Sequence, residues 1–269
     1  MDANLFYYII LLITGAGIGF ASGLLGVGGG FIMVPVLYWL MTSIGIDPTI
    51  AIRVSVGTSL AVILPTAISG AYGHYKRNAV LKKPTVYLAT TGIFGSILGG
   101  FIATSIPGDV LTKIFGITVV IVALIMIFVR YPEINETPLD NIVYFLIGGL
   151  IVGIMSGLLG VGGGFIIVPF LVILLRYDII KAIGTSSAVI VFTSIGGIIS
   201  YVYNGLGVSG LPPFSLGYVN LLQFILLVIL SIPMAQIGVK TAHNISKQKL
   251  NYAFAIMLII IGLKMIGII

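Results

Sequence analysis

The apolar positions of this chain are gathered into long runs, punctuated by short stretches of Gly, Pro and charge. Read at helical spacing, the runs predict five helical segments near residues 5–26, 31–43, 49–73, 84–105 and 109–129. A second series follows near 141–160, 165–175, 180–203, 217–238 and 249–268. Between the series, Arg130 to Asp140 is polar and twice broken by proline, which makes it a linker. The second segment of each series is short. Residues 165–175 rise only about 16 Å as a helix, against a hydrocarbon core of about 30 Å. Such a segment is expected to enter a bilayer as a half-helix, or to tilt and extend at its interface.

Composition moves this pattern into a membrane. Hydrophobic residues make up 59% of the 269-residue chain, charged residues only 7%, and the mean hydropathy is +1.23. Soluble domains carry about 25% charged residues. The runs are long and unbroken, so they fit bilayer-spanning helices and not the short alternating strands of a β-barrel. The expected fold is therefore an all-α polytopic membrane protein. With no cysteine, the chain has no disulfide, thiolate metal site or cysteine nucleophile. No metal site and no cofactor is implied. Met1 to Asn4 carries no basic n-region and no cleavage site follows, so the first helix is expected to be retained. The net charge of +6 reports loop charges, not nucleic-acid binding.

The halves repeat one another. Ser22 to Phe31, Ser-Gly-Leu-Leu-Gly-Val-Gly-Gly-Gly-Phe, recurs unchanged as Ser156 to Phe165. Each copy continues as Phe-Ile-x-Val-Pro-x-Leu, and Gly57-Thr58-Ser59 is echoed by Gly184-Thr185-Ser186. The expected organisation is a first repeat over 1–130, a cytoplasmic linker over 131–140 and a second repeat over 141–269. Five segments is an odd number, so the second repeat should be inverted. With both termini extracytoplasmic, ten cations fall in cytoplasmic loops: Lys76, Arg77, Lys82, Lys83, Arg130, Arg176, Lys181, Lys240, Lys247 and Lys249. Only Arg53, Lys113 and Lys264 fall outside, which is the positive-inside bias expected of an inverted pair.

Paired glycine-broken segments are the best sequence pointer to a transporter's binding site. Each mid-helix glycine costs about 1 kcal/mol relative to alanine, so a break is expected at Gly28-Gly29-Gly30 and at Gly162-Gly163-Gly164. In lipid, a break survives only where protein or a watery cavity meets its freed backbone. The half-helices beginning at Phe31 and Phe165 would aim their N–H groups into the breaks, a setting that favours an anion. Two such N-termini would converge near the midplane. The competing reading is that the glycines only allow tight helix packing. Thr58, Ser59, Thr185 and Ser186 offer hydroxyls to the same site, unless they bond their own backbone four residues back. Ser22 and Ser156 are weaker candidates. Pro35 and Pro169 set or kink the short helices and receive no ligand role.

Ionisable residues add little. Asp2, Asp47, Asp109, Glu133, Glu136, Asp140 and Asp178 fall in predicted loops or at the terminus, leaving no carboxylate at depth for a proton relay. Arg53 lies a turn into the third segment, where it either touches an anion or snorkels to the interface. His74 and His243 sit at helix ends, where solvation is the ordinary state. Asn204, Gln223 and Gln236 are polar groups in or beside apolar segments, with no assigned partner.

The duplicated Ser-Gly-Leu-Leu-Gly-Val-Gly-Gly-Gly-Phe-x-x-Val-Pro block, with its downstream Gly-Thr-Ser, resembles the TauE/SafE family of sulfite-exporter-like permeases. The likeness covers nearly the whole chain, and Gly99-Gly100 and Gly238 before the last helix of each half share it. The resemblance implies a permease in the cell (inner or plasma) membrane for small sulfur-containing or organic anions such as sulfite, sulfoacetate or related sulfonates. The matching positions are Gly26, Gly28 to Gly30, Pro35, Thr58 and Ser59, then Gly160, Gly162 to Gly164, Pro169, Thr185 and Ser186.

Function is thus read as a secondary anion transporter working by alternating access, with the lipid bilayer and a small anion as partners. Gly26 to Phe31 lacks a P-loop Lys-Ser/Thr, so a proton or sodium gradient, or downhill flux, replaces ATP as the drive. A passive anion channel built on the same half-helices is the alternative. An enzyme is not expected. Ser22 with His74 loosely resembles an intramembrane protease, but the second copy has Tyr201 where a histidine would be needed.

Overall fold

The structure, a computed structural model, describes residues 3–26, 28–128, 138–242 and 247–268. Arg130, Glu133, Glu136, His243 and most of the expected linker lie outside the described residues, as does Asp2. The first series forms α1 (Ala3–Leu25), α2 (Gly30–Ser43), α3 (Pro48–Tyr75), α4 (Lys82–Ser105) and α5 (Gly108–Phe128). The second forms α6 (Ile142–Leu159), α7 (Gly164–Pro169), α8 (Ile179–Gly205), α9 (Leu221–Ala242) and α10 (Lys247–Ile266). Seven of these helices are long and apolar enough to cross a membrane: α1, α3, α4, α5, α6, α8 and α9.

The short second elements are short in the structure as well. A fourteen-residue α2 rises about 21 Å. The six residues of α7 pass at Pro169 into a π-helical turn over Phe170–Leu174. Proline has no N–H to continue the ladder. Leu175 N then bonds Phe170 O, and Tyr177 N bonds Leu171 O, which ends the element.

Two loop aspartates act as helix caps. Asp47 accepts from the backbone N–H groups of Thr49 (2.8 Å) and Ile50 (3.2 Å) at the start of α3. Asp178 does the same for Ile180 (2.9 Å) and Lys181 (3.1 Å) at the start of α8. Asp109, expected in a loop, lies in the first turn of α5, where a carboxylate favours the helix dipole. The segment expected from residue 217 begins as helix only at Leu221. Before it, β1 (Ser215–Leu216) and β2 (Val219–Asn220) form a short antiparallel hairpin.

α3 and α8 lie side by side at the centre, buried along most of their length. The outer helices pack across the halves, with α1 against α9 and α4 against α6. Glycine makes this possible. In α1, Gly15, Gly19 and Gly23 lie against the backbone of Leu227, Ser231 and Ala235. In α6, Gly149, Gly153 and Gly157 lie against Leu88, Gly92 and Ser96 of α4. Lipid is as apolar as a leucine side chain, so close approach of small-residue faces, not burial from water, holds such helices together.

The two ends of the bundle differ in charge. At one end Ala79 O lies against Gly184, and Lys83 pairs with Asp140 at 2.7 Å. Tyr177 also reaches Asp140 there (3.5 Å), and burial, then the Asp140 charge, pushes its phenol above the usual range. Lys76, Arg77, Lys82, Arg176, Lys181 and Lys240 belong to the same end. The opposite end holds the contacts Gly108–Thr49 and Gly210–Ile50, the hairpin, and the cations Arg53, Lys113 and Lys264. Lys264 sits over the Trp39 ring there, 4.7 Å from its centroid.

Candidate functional site

Both predicted breaks are present, and they meet. Gly28 (φ 86°) and Gly29 (φ 77°) precede α2, and Gly162 (φ 80°) and Gly163 (φ 81°) precede α7, all in the left-handed region that suits glycine. Gly29 and Gly163 are the N-cap residues, so no side chain caps either helix start. The first N–H groups of a helix have no intrahelical partner. A Cβ on Gly28 would lie 2.6 Å from Val161 O, and one on Gly30 would lie 2.7 Å from Val161 Cα. The rings of Phe31 and Phe165 touch edge to face, with centroids 4.9 Å apart. Ile63 of α3 reaches both breaks, lying 3.6 Å from the Gly28 position and 3.3 Å from that of Gly162.

The hydroxyls bind across the halves. Ser59 donates to Gly160 O (2.7 Å), and Ser186 donates to Gly26 O (2.8 Å). Each serine of a central helix therefore holds the break of the other half, instead of its own carbonyl four residues back. Having donated its one proton, neither serine retains a donor for an anion. The threonines point elsewhere. Thr58 accepts from Asn220 N (2.9 Å), just before α9, and Thr185 accepts from Leu81 N (3.0 Å), just before α4. Their own hydroxyl protons are not committed by those bonds. Thus Gly28 to Phe31, Ser59 and Gly162 to Phe165 come together with Ser186, while Thr58 and Thr185 secure the neighbouring helix starts.

Thr193 and Asn220 carried no signal in the sequence, and the partners of Asn204, Gln223 and Gln236 appear only in the structure. Thr193 donates to Gly162 O (2.9 Å), a second tie on the second break. Asn220 is buried, accepts from Gln223 N (3.0 Å) and donates to Pro213 O (2.9 Å). Gln223 in turn donates to Tyr7 OH (2.6 Å), Gln236 bonds Ser69, and Asn204 donates to Ser200 O (2.8 Å). His74 is a correction. It is fully buried, not solvated, with Nε2 3.1 Å from Gly23 O. The Nη atoms of Arg53 bond Tyr218 OH (3.2 Å) and Ile106 O (3.0 Å). Ser156 is completely buried and its hydroxyl has no partner among the described residues. A shallow crevice beside the first break is almost wholly apolar and is lined by Ala21, Leu25, Gly29, Phe31, Met126 and Leu258 among others.

A polytopic helical protein whose two broken helices meet at its centre is built as a membrane transporter. Comparison with known proteins agrees. The chain matches the family described as Sulfite exporter TauE/SafE over residues 11–265, and it belongs to that family. It is 30% identical over 266 residues to a probable membrane transporter protein of Haemophilus influenzae, covering 97% of this chain and 99% of the relative. A probable membrane transporter protein of Methanocaldococcus jannaschii is 30% identical over 259 residues, covering 96% and 94%. One from Xylella fastidiosa is 33% identical over 183 residues, covering 66% and 67%. No solved structure matches the chain. The protein is a multi-pass membrane transporter.

Proposed function

We propose that the protein is a secondary permease for small anions, sulfur-containing or organic, of the sulfite, sulfoacetate or sulfonate kind. The observation that carries this reading is the meeting of two uncapped half-helix starts, Gly29–Phe31 and Gly163–Phe165, at the centre of the bundle. Uncapped N–H groups and the positive dipole ends favour a negative substrate. The family's description as sulfite exporters supports the sulfur-anion class. Residues 1–130 and 141–269 act as two inverted repeats, joined by a cytoplasmic linker, in the cell membrane with both termini extracytoplasmic. The exchanged bonds Ser59–Gly160 and Ser186–Gly26 support this, since each contact has a counterpart from the other half. The separation of cations between the two ends supports the orientation.

Transport proceeds by alternating access. The Phe31–Phe165 contact forms the central barrier, and the two halves rock about it to open one side at a time. A proton or sodium ion, or the anion gradient alone, supplies the drive. A packed centre favours this over a passive channel on the same half-helices, because a pore needs a continuous path.

Uptake of labelled sulfite and sulfoacetate into proteoliposomes tests the reading, with Gly29→Leu and Gly163→Leu beside wild type. Saturable uptake lost in both folded variants supports a shared site. Uptake indifferent to both would reduce the glycines to packing, and linear, non-saturating flux would favour the channel.

A further inference from the structure

Arg53 is a cation on a central helix that pairs with no carboxylate among the described residues. It lies five residues before Thr58, about 7.5 Å along α3 at helical rise. Its two bonds go to neutral acceptors, Tyr218 OH (3.2 Å) and Ile106 O (3.0 Å). Its guanidinium carbon also lies over the Tyr218 ring, 5.8 Å from the centroid. Among the described residues its Nε is buried with no partner, and no carboxylate lies within ion-pair distance of it. The nearby aspartate on the same helix start, Asp47, is occupied in capping Thr49 and Ile50. A guanidinium carries five N–H donors, so three remain, and a half-buried charge without a counterion is costly unless an anion joins it.

The surroundings point inward. Tyr218 is buried, and its ring stands 6.4 Å from that of Tyr201, nearly perpendicular. Tyr201 is fully buried and its hydroxyl has no partner among the described residues. Tyr218 O lies against Gly57, next to Thr58. A polar file therefore runs from Arg53 of α3 through Tyr218 to Tyr201 of α8, between the two central helices and beside Gly57. The file is one-sided. In the register that aligns Gly57-Thr58-Ser59 with Gly184-Thr185-Ser186, the position matching Arg53 is Ile180. The cations of the other end lie in its loops and at helix termini, whereas Arg53 sits five residues inside α3.

Resting on the anion-permease reading, we infer that Arg53, latched by Tyr218, is the anion-selecting gate at the end of the bundle opposite the basic loops. An oxyanion, carboxylate or sulfonate, takes the guanidinium's free edge in a charge-assisted, bidentate pair. It displaces the Tyr218 hydroxyl and releases the hairpin that carries it, which opens the file toward the centre. Tyr218 is then the positioning residue and Arg53 the binding one.

The test is initial uptake against concentration, with sulfite and sulfoacetate, for full-length wild type, Arg53→Gln, Arg53→Lys and Tyr218→Phe in proteoliposomes. Thermal stabilisation of the detergent-purified proteins by the same anions is measured alongside. The expected result is a KM at least tenfold higher in Arg53→Gln, with a maximal rate within about threefold of wild type, and an intermediate KM in Arg53→Lys. Anion stabilisation should disappear in Arg53→Gln. Tyr218→Phe, which keeps the charge but removes the hydroxyl that the anion must displace, should lower the KM, so it remains informative if Arg53→Gln does not fold. An unchanged KM in Arg53→Gln, equal losses in the Gln and Lys variants, or an unchanged or raised KM in Tyr218→Phe would each overturn the gate while leaving the permease standing. A wild type that carries neither anion would overturn both.

Discussion

Gly28 and Gly45 hold almost the same backbone angle, with φ of 86° and 88°, but in opposite surroundings. A Cβ on Gly45 meets nothing within 4 Å, whereas one on Gly28 would lie 2.6 Å from the carbonyl oxygen of Val161, in the other half's break. Alanine at either position adds a left-handed strain of about 1–2 kcal/mol. At Gly28 it adds an overpacking cost of about 1–3 kcal/mol, because the obstacle is backbone and cannot swing aside. Gly28→Ala should therefore lose roughly 2–5 kcal/mol and Gly45→Ala only the strain. Thermal unfolding of the purified proteins in one detergent gives the ordering: a small drop in Tm for Gly45→Ala and a clearly larger one for Gly28→Ala. Anion uptake should survive the first and be impaired in the second. Equal Tm losses would refute the reasoning, because they would mean that the two breaks do not lie against one another.

The exchanged serines should behave as a pair. Ser59→Ala and Ser186→Ala each remove one buried bond and strand a carbonyl, so each should cost about 1–3 kcal/mol, the two similar in size, as read by unfolding in detergent. The Phe31–Phe165 contact should show a coupling of about 0.5–1.5 kcal/mol in a double-mutant cycle of leucine substitutions, measured by the same unfolding assay. An anion leak through Phe31→Ala vesicles, absent from wild type, would be the functional sign that the rings form the barrier.

Much of the architecture was legible because its causes are local. Helix positions follow from apolar runs and their Gly and Pro interruptions, and the ten segments read that way all exist as helices. The breaks follow from three consecutive glycines, which neither hold a helix nor resist the left-handed region. The exact duplication and the distribution of lysine and arginine pointed to two related halves and two unlike ends. The hairpin before α9 escaped because two-residue strands leave no alternation to detect.

Partners were not legible, because they are set by contacts between residues more than a hundred positions apart. A hydroxyl on a helix reads the same whether it bonds its own turn or, as Ser59 and Ser186 do, a carbonyl in the other half. A histidine at a helix end looks solvated until the end of α1 is laid over it. An arginine near an interface shows no partner in the sequence until a carbonyl at the end of α4 and a tyrosine hydroxyl take its two nitrogens. The sequence by itself determined where helices run and where they must break, since those depend on backbone propensity and hydropathy within a few residues. Only the tertiary structure decided that the halves exchange helices and that each break is held from across the centre. In a bilayer, close packing and hydrogen-bond satisfaction choose among helix arrangements that hydropathy cannot tell apart.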